Sequence, residues 1–310
     1  MMRRIVIDCD PGIDDAEAIM MAYMHPEVKI EAITTVAGNV GAALTAVNVL
    51  KILDVLDAEP IPVFPGAAAP LVEAGADAAQ VHGEDGLGGC GIPDSDRELA
   101  EEHAAKALIR LAMENPGELE LIAIGPLTNL ALALHLDPDL PTHFKRLVIM
   151  GGAIYAQGNT TNFPAEFNIF ADPDAAAVVF ATWPEFTMVS WEATMAHGMP
   201  LDQFKELLSY DNKRSQFLKK VTKTTLAFLK EVLNREMSYA ADPLAMAVLM
   251  EPEIVKKSEK KYVQVETHGT LTRGMTVIDW WGLSKQKPNV DIVLEVDLDR
   301  FTELLRMAVK

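Results

Sequence analysis

A chain of 310 residues is about twice the usual ~150 per domain, although a single α/β unit can absorb that length. Apolar residues make up 49% and charged residues 23%, close to the globular average, which argues against disorder and against a fibrous repeat. Lys plus Arg number 27 against 45 Asp plus Glu, a formal charge of −18, so nucleic acid and anionic membrane are poor partners.

In chain order, Arg4 to Cys9 is a short β-branched apolar run, Pro11-Gly12 breaks it, and Ala16 to Met24 carries apolar residues at helical spacing. Val28 to Val36 reads as a second strand, Gly38-Asn39 as its turn and Leu44 to Leu56 as a second helix. The alternation continues with strand Ile61 to Phe64, helix Leu99 to Met113, strand Leu119 to Ile124, helix Leu127 to Leu136 and strand Arg146 to Met150. This rhythm predicts an α/β fold, a mainly parallel, doubly wound sheet with helices on both faces.

Three stretches interrupt it. Gly66 to Asp96 is rich in Gly, Ala and acids and too long for an ordinary connection, which points to a functional loop. Gly151 to Ala165 carries amides, Gln157, Asn159 and Asn162, suited to lining a pocket. Phe204 to Glu236 reads as one or two helices with a solvated lysine face.

The two cysteines, Cys9 and Cys90, rule out a disulfide framework and a Cys-rich zinc site, and fit a reducing compartment. The start lacks the apolar centre of an export signal, and nowhere do ~18 apolar residues run uninterrupted, so the expectation is a soluble, cytoplasmic protein.

Asp8, Asp10, Asp14 and Asp15 fall within eight residues, across the end of the first strand and the start of its helix. A helix N-terminus offsets about one such charge. A cation would neutralise the rest, and an all-carboxylate set suits Ca²⁺ or Mg²⁺ better than zinc. One aspartate alone is equally well read as a helix cap; four together are not. They lie where open α/β sheets collect ligands, at a strand's carboxyl end. The spacing also occurs in phosphotransferases and selects no single reaction.

The string Asp8-Cys9-Asp10-Pro11-Gly12-Ile13-Asp14-Asp15 resembles the signature of the inosine-uridine-preferring nucleoside hydrolase family. Thr35-Val36-Ala37-Gly38-Asn39, His82-Gly83 with Gly86-Leu87-Gly88, Gly125-Pro126-Leu127-Thr128-Asn129, Met150-Gly151-Gly152, Ala165-Glu166-Phe167-Asn168 and Asp242-Pro243 follow in the family's order, over nearly the whole chain.

The resemblance implies one nucleoside hydrolase domain over 1–310, with a Rossmann-like sheet followed by additional C-terminal helices and short strands. It implies an enzyme that cleaves the N-glycosidic bond of ribonucleosides to ribose and free nucleobase, serving purine or pyrimidine salvage, commonly as a homodimer or homotetramer. Ca²⁺ would be held by Asp10, Asp15, Asp242 and the Ile124 carbonyl. Asp10 would be the general base that activates a metal-bound water for attack at C1′. Asp14, Asn39, Met150, Glu166 and Asn168 would bind the substrate, joined by Asn159, with Asn162 as the alternative because the loop is one residue longer than the usual pattern. His82 would lie beside the base as a catalytic residue; its plain reading is a surface loop histidine.

The chain departs from the family at Ala241, where many members carry a histidine before the late aspartate. Leaving-group protonation and base preference fall into doubt there. Tyr239 is a weaker candidate donor, and Trp191, Trp280 and Trp281 have no spacing that places them in a pocket. His25, His103, His135, His143, His197 and His268 show no paired metal-ligand spacing and read as structural. The alternative reading is a non-catalytic, calcium-dependent nucleoside- or ribose-binding protein, supported only by the lost histidine. A metal-dependent phosphohydrolase would need a basic phosphate cradle that the sequence lacks near these carboxylates.

Overall fold

In the computed structural model, residues 2–74, 76–231 and 236–310 are described, with the side chains of 224 and 227–231 excepted. The first half alternates strand and helix: β1 (Arg3–Cys9), α1 (Ile13–Met24), β2 (Val28–Thr35), α2 (Ala42–Val55), β3 (Val63–Pro65), a short α3 (Ala79–His82), α4 (Ala104–Glu114), β4 (Leu119–Ala123), α5 (Thr128–Leu136), α6 (Leu140–His143) and β5 (Arg146–Met150). Then come α7 (Phe167–Ala171), α8 (Pro173–Thr182), β6 (Phe186–Val189), α9 (Trp191–Ala196), β7 (Met199–Pro200), α10 (Leu201–Leu207), α11 (Lys213–Glu231), β8 (Met237–Ser238) and α12 (Ala241–Met250). Last are β9 (Val255–Lys261), the hairpin strands β10 (Val263–Val265) and β11 (Thr276–Ile278), β12 (Val290–Val296) and α13 (Leu298–Val309).

Eight strands form one sheet in the order β3-β2-β1-β4-β5-β6-β12-β9. Every pairing in it is parallel except β12 with β9. The chain winds outward from β1 to β3, then returns to lay β4 on the other side of β1. The carboxyl ends of β1 and β4 therefore flank the topological switch point, where such sheets open a crevice.

Strand alternation sorts side chains between two cores. Ile5, Ile7 and Cys9 of β1, Ile122 of β4 and Val148 of β5 face the core built with α1, α2, α12 and α13. Val6, Leu121, Leu147 and Ile149 face the core with α4, α5 and α8. Helix α1 packs on α12 and α13 and is buried nearly all round, so from Ala18 to Ala22 its sequence is continuously apolar rather than striped. Ile19, Met20 and Met21 are fully buried, each contributing about 2 kcal/mol by the usual transfer scale. That burial rigidly anchors the helix whose first turn carries Asp14 and Asp15.

The amino-terminal edge of the sheet is held by charge. Glu120 of β4, almost fully buried, meets Arg3 at 2.7 Å, Lys145 at 3.1 Å and Arg146 at 3.2 Å. Arg146 also donates to the carbonyls of Val248 (3.4 Å) and Leu249 (2.5 Å), closing the last turn of α12.

The expected alternation holds from β1 through β5. The third expected helix, α4, starts five residues later than Leu99, because the Ala100 N–H donates to the Val63 carbonyl (2.9 Å) and keeps that stretch extended beside β3. Phe204 to Glu236 resolves into α10 and α11, with Lys213, Lys219, Lys220 and Lys223 exposed as expected; 232–235 lie outside the described residues. No described helix is long and apolar enough to cross a membrane.

Candidate active site

The site is assembled from turns at the carboxyl ends of the central strands. Asp10 follows β1 directly and is fully buried. Its Oδ2 accepts the Asn39 N–H at 2.7 Å, whereas Oδ1 has no hydrogen-bond partner among the described residues. Two glycines wall this carboxylate in. A Cβ on Gly38, after β2, would overlap Oδ2, and one on Gly125, after β4, would lie 2.7 Å from Oδ1. Any side chain at either position would displace Asp10.

Asp15 closes the first turn of α1 back on the strand end. Its Oδ1 accepts from the Asp10 N–H (3.1 Å) and its Oδ2 from the Gly12 N–H (2.9 Å) and Asn39 Nδ2 (3.1 Å). Asp242, brought from far down the chain by the first turn of α12, completes a group with Asp14 and Asp15 whose carboxylate oxygens lie within 4.8 Å of one another. Asp10 is not one of that close trio; it meets the group through its backbone bond to Asp15. Among the described residues, no Lys or Arg pairs with any of the four; the one cationic candidate is His82, 3.9 Å from Asp14.

Such a cluster is poorly satisfied as it stands. Burial first, then the charge of Asp15, pushes Asp10 well above the carboxylate range. Burial, then Asp14, raises Asp15 to about 7. Burial, then Asp14, Asp15 and Asp10, raises Asp242 well above its usual value. An all-oxygen set of like charges around an unpartnered buried oxygen fits a hard divalent cation, which would reverse each of these shifts.

The remaining expected ligand and substrate residues converge on the same crevice. Asn168 Nδ2 donates to the carbonyls of Ile124 (3.1 Å) and Met150 (3.2 Å), bridging the ends of β4 and β5. Glu166 caps α7, accepting the N–H groups of Asn168 (2.8 Å), Ile169 (3.2 Å) and Gly152 (2.9 Å); burial nevertheless raises it to about 7. Asn39 spends its amide on the Asp10 carbonyl (3.2 Å) and on Asp15.

His82 is not a loose surface histidine. Its side chain is 12% exposed, and its Nδ1 accepts the Ile13 N–H at 3.0 Å, which leaves the proton on Nε2. Burial lowers its pKa, against a weaker opposing pull from Asp14. Asn159 is exposed, with only its backbone bonded, to Ala165 (3.2 Å). Asn162 turns away to the Arg273 carbonyl. Neither loop amide is brought into the carboxylate cluster by a hydrogen bond.

The aromatic candidates separate. Trp191 and Tyr239 lie 6.5 Å apart between the β6 end and the start of α12. Trp280 stacks on Tyr155 at 5.5 Å, and Trp281 is exposed. Ala241 is buried and carries no proton to give. His25 bonds Glu251 (3.1 Å), His103 caps α4, and His197 bridges Ala193 and Val296, all structural tasks.

Sequence reasoning counted Asp8 among the four aspartates that a cation would neutralise and gave no role to Thr34 or Asn129; instead the three form a fully buried polar group beneath the site, so Asp8 takes its plain structural reading. Asp8 Oδ1 accepts from Thr34 Oγ1 (2.5 Å) and Asn129 Nδ2 (2.8 Å), while burial raises the carboxyl to about 7. Asp8 and Asn129 carry a signal in the sequence, since both belong to the motifs that bear the resemblance; Thr34 does not.

The sequence profile of the inosine-uridine preferring nucleoside hydrolases matches residues 5–303. The chain belongs to that family. It is 36% identical over 308 residues to the pyrimidine-specific ribonucleoside hydrolase RihA of Salmonella paratyphi B, covering 97% of this chain and 96% of the relative. Among solved structures, an inosine-guanosine nucleoside hydrolase superposes with a TM-score of 0.92 at 36% identity, over 100% of this chain and 99% of that one. A purine-preferring ribonucleoside hydrolase from Gardnerella vaginalis gives 0.90 at 29% identity, over 99% and 98%. As a nucleoside hydrolase, the protein is an enzyme acting on N-glycosyl compounds, and its mainly parallel α/β fold is that of its relatives.

Proposed function

We propose that this nucleoside hydrolase cleaves ribonucleosides to ribose and free nucleobase with a calcium ion held by Asp10, Asp15, Asp242 and the Ile124 carbonyl. One juxtaposition carries the reading: Asp14, Asp15 and Asp242 crowd within 4.8 Å, and Asp10, bonded to Asp15 through its N–H, has a buried Oδ1 with no hydrogen-bond partner among the described residues, at the sheet's switch point. The relatives' names span pyrimidine and purine preferences, so the substrate is stated as a ribonucleoside of either class.

A bound calcium ion would supply Lewis acidity and a coordination sphere wide enough to orient a ribose diol and a water together. Asp10 is the general base: Asn39 fixes one of its oxygens and leaves the other to take the proton of the attacking water. Asp14, Asn39, Glu166, Asn168 and the end of β5 at Met150 hold the ribose, and Asn159 closes over it from its exposed loop. As the bond from C1′ to the base lengthens, positive charge grows on the ribose ring, and the surrounding carboxylates stabilise it. Water attacks opposite the departing base, so the reaction inverts C1′ without a covalent sugar intermediate. His82, neutral with its proton on Nε2, is the hydrogen-bond donor for the leaving base in place of the histidine that Ala241 replaces. Residues 1–310 act as one domain in this reading, in a cytoplasmic homodimer or homotetramer.

The test is base release from inosine, adenosine, uridine and cytidine, with and without a chelator, alongside phosphate release from a nucleotide. Free base from at least one riboside, abolished by chelation and restored by calcium, is the expected result. Base release indifferent to chelation removes the metal, and phosphate release without base release removes the reaction.

A further inference from the structure

We infer that Asn129, anchored on Asp8, is a positioning residue for Asp10: its amide sets the gap between the two turns whose glycines grip the Asp10 carboxylate. The inference rests on the proposed function, in which Asp10 is both metal ligand and base.

Gly38 and Gly125 come from different crossovers, one after β2 and one after β4; the ladder ties their strands to β1 only as far as Val36, on the Cys9 carbonyl (3.0 Å), and Ile124, on the Asp8 carbonyl (2.8 Å), and among the described residues no ladder bond joins the two turns to each other. Asn129 does so directly. It stands four residues beyond Gly125 and donates through Nδ2 to the carbonyl of Thr35 (2.9 Å), three residues before Gly38. Its Oδ1 accepts the Ala67 N–H (2.9 Å), so the turn after β3 is tied in as well. Gly66 belongs to the same fitting, since a Cβ there would overlap Asn129 Oδ1.

Asp8 holds the amide in place from below. Its side chain joins Asn129 to Thr34 of β2, and its backbone carbonyl accepts the N–H of Ile124 (2.8 Å), the residue whose own carbonyl is the proposed ligand. Asp8 Oδ2 has no hydrogen-bond partner among the described residues. A fully buried carboxylate with one oxygen unsatisfied is a costly way to fill space. An apolar residue would fill it with less penalty, but would leave the Asn129 amide free to turn and the two glycine walls free to part. Such outer contacts orient metal ligands, and losing one typically weakens metal binding or activity by about 10–100-fold.

The test uses the full chain as Asn129→Ala and Thr34→Val, with calcium affinity by titration calorimetry, steady-state kinetics at saturating calcium, and melting without calcium. Asn129→Ala is expected to weaken calcium binding by about 10–100-fold and to lower kcat by at least about 10-fold, with KM within about 2-fold, because the ribose contacts stay. Thr34→Val, which leaves Asp8 one of its two donors, should weaken calcium binding by about 2–5-fold. A merely structural Asn129 would lower the melting temperature and leave affinity and kcat intact well below it; that result overturns the inference. If Asn129→Ala does not fold, Thr34→Val decides, and unchanged calcium affinity overturns the inference. A wild-type protein that releases base without binding calcium overturns the metal in the underlying reading. The positioning role then stands or falls on whether Asn129→Ala loses kcat at unchanged KM.

Discussion

The Ile13 N–H donates to Nδ1 of His82 at 3.0 Å, so the last residue of the short α3 caps the helix that carries Asp14 and Asp15. The bond fixes the tautomer of His82 and ties α3 to the metal-bearing turn in one stroke. His82→Ala is expected to slow inosine hydrolysis by about 10²-fold while slowing nitrophenyl riboside, whose leaving group needs no proton, by far less. Equal losses on both substrates would assign His82 to holding α3 and not to the leaving base.

Asp10→Asn keeps the size of the side chain and removes its charge. Because the residue is placed as ligand and base together, kcat should fall by at least about 10³-fold on every riboside, including nitrophenyl riboside. A variant with more than a tenth of wild-type turnover would take Asp10 out of the mechanism.

Asp242→Asn removes one carboxylate of the close trio and leaves the α1 turn untouched. Thermal melts read the change directly: wild-type protein should gain several degrees on adding millimolar calcium, and the variant should gain little. An equal gain in both would place the cation elsewhere.

Without metal, the buried acids make stability depend on pH in an unusual direction. Asp8 and Asp15 sit at about 7, against an ordinary aspartate value of 3.8, and Glu166 at about 7 against 4.5. Raised carboxyls bind more protons folded than unfolded between those limits, so stability is full near pH 4 and declines as pH climbs through 7. One such group shifted by about three units is worth on the order of 4 kcal/mol. In chelator, the melting temperature should drop by roughly 5–10 °C between pH 5 and 8, and calcium should flatten that slope. A chelated protein as stable at pH 8 as at pH 5 would contradict the shifts.

The central strands β1, β4 and β5 were legible because parallel strands buried on both faces read as apolar runs such as Ile5 to Ile7, Leu121 to Ala123 and Leu147 to Met150. Strands β6, β9 and β12 were not placed individually. β9, Val-Lys-Lys-Ser-Glu-Lys-Lys, is an edge strand whose lysines guard an open ladder and look like loop. The carboxylate cluster was readable since its Asp residues adjoin in sequence, and the resemblance supplied Asp242. The tasks of Glu166 as a helix cap, of His82 as a partner for a backbone amide and of Asn129 as a bridge were not readable. Each depends on which backbone group a crossover brings near, and spacing along the chain does not record that. The same limit explains why the loop amides Asn159 and Asn162 could not be told apart.

Glu120, gripped by Arg3, Lys145 and Arg146, stands at one rim of the sheet, while aspartates that pair with no Lys or Arg among the described residues stand at the other. The slab is thus polarised lengthwise, with its basic groups quenched at the strand starts and an unquenched acidic mouth at the strand ends. An incoming divalent ion feels that asymmetry from a distance and an uncharged nucleoside does not. Added salt should therefore slow metal loading while leaving nucleoside capture by the loaded protein almost untouched.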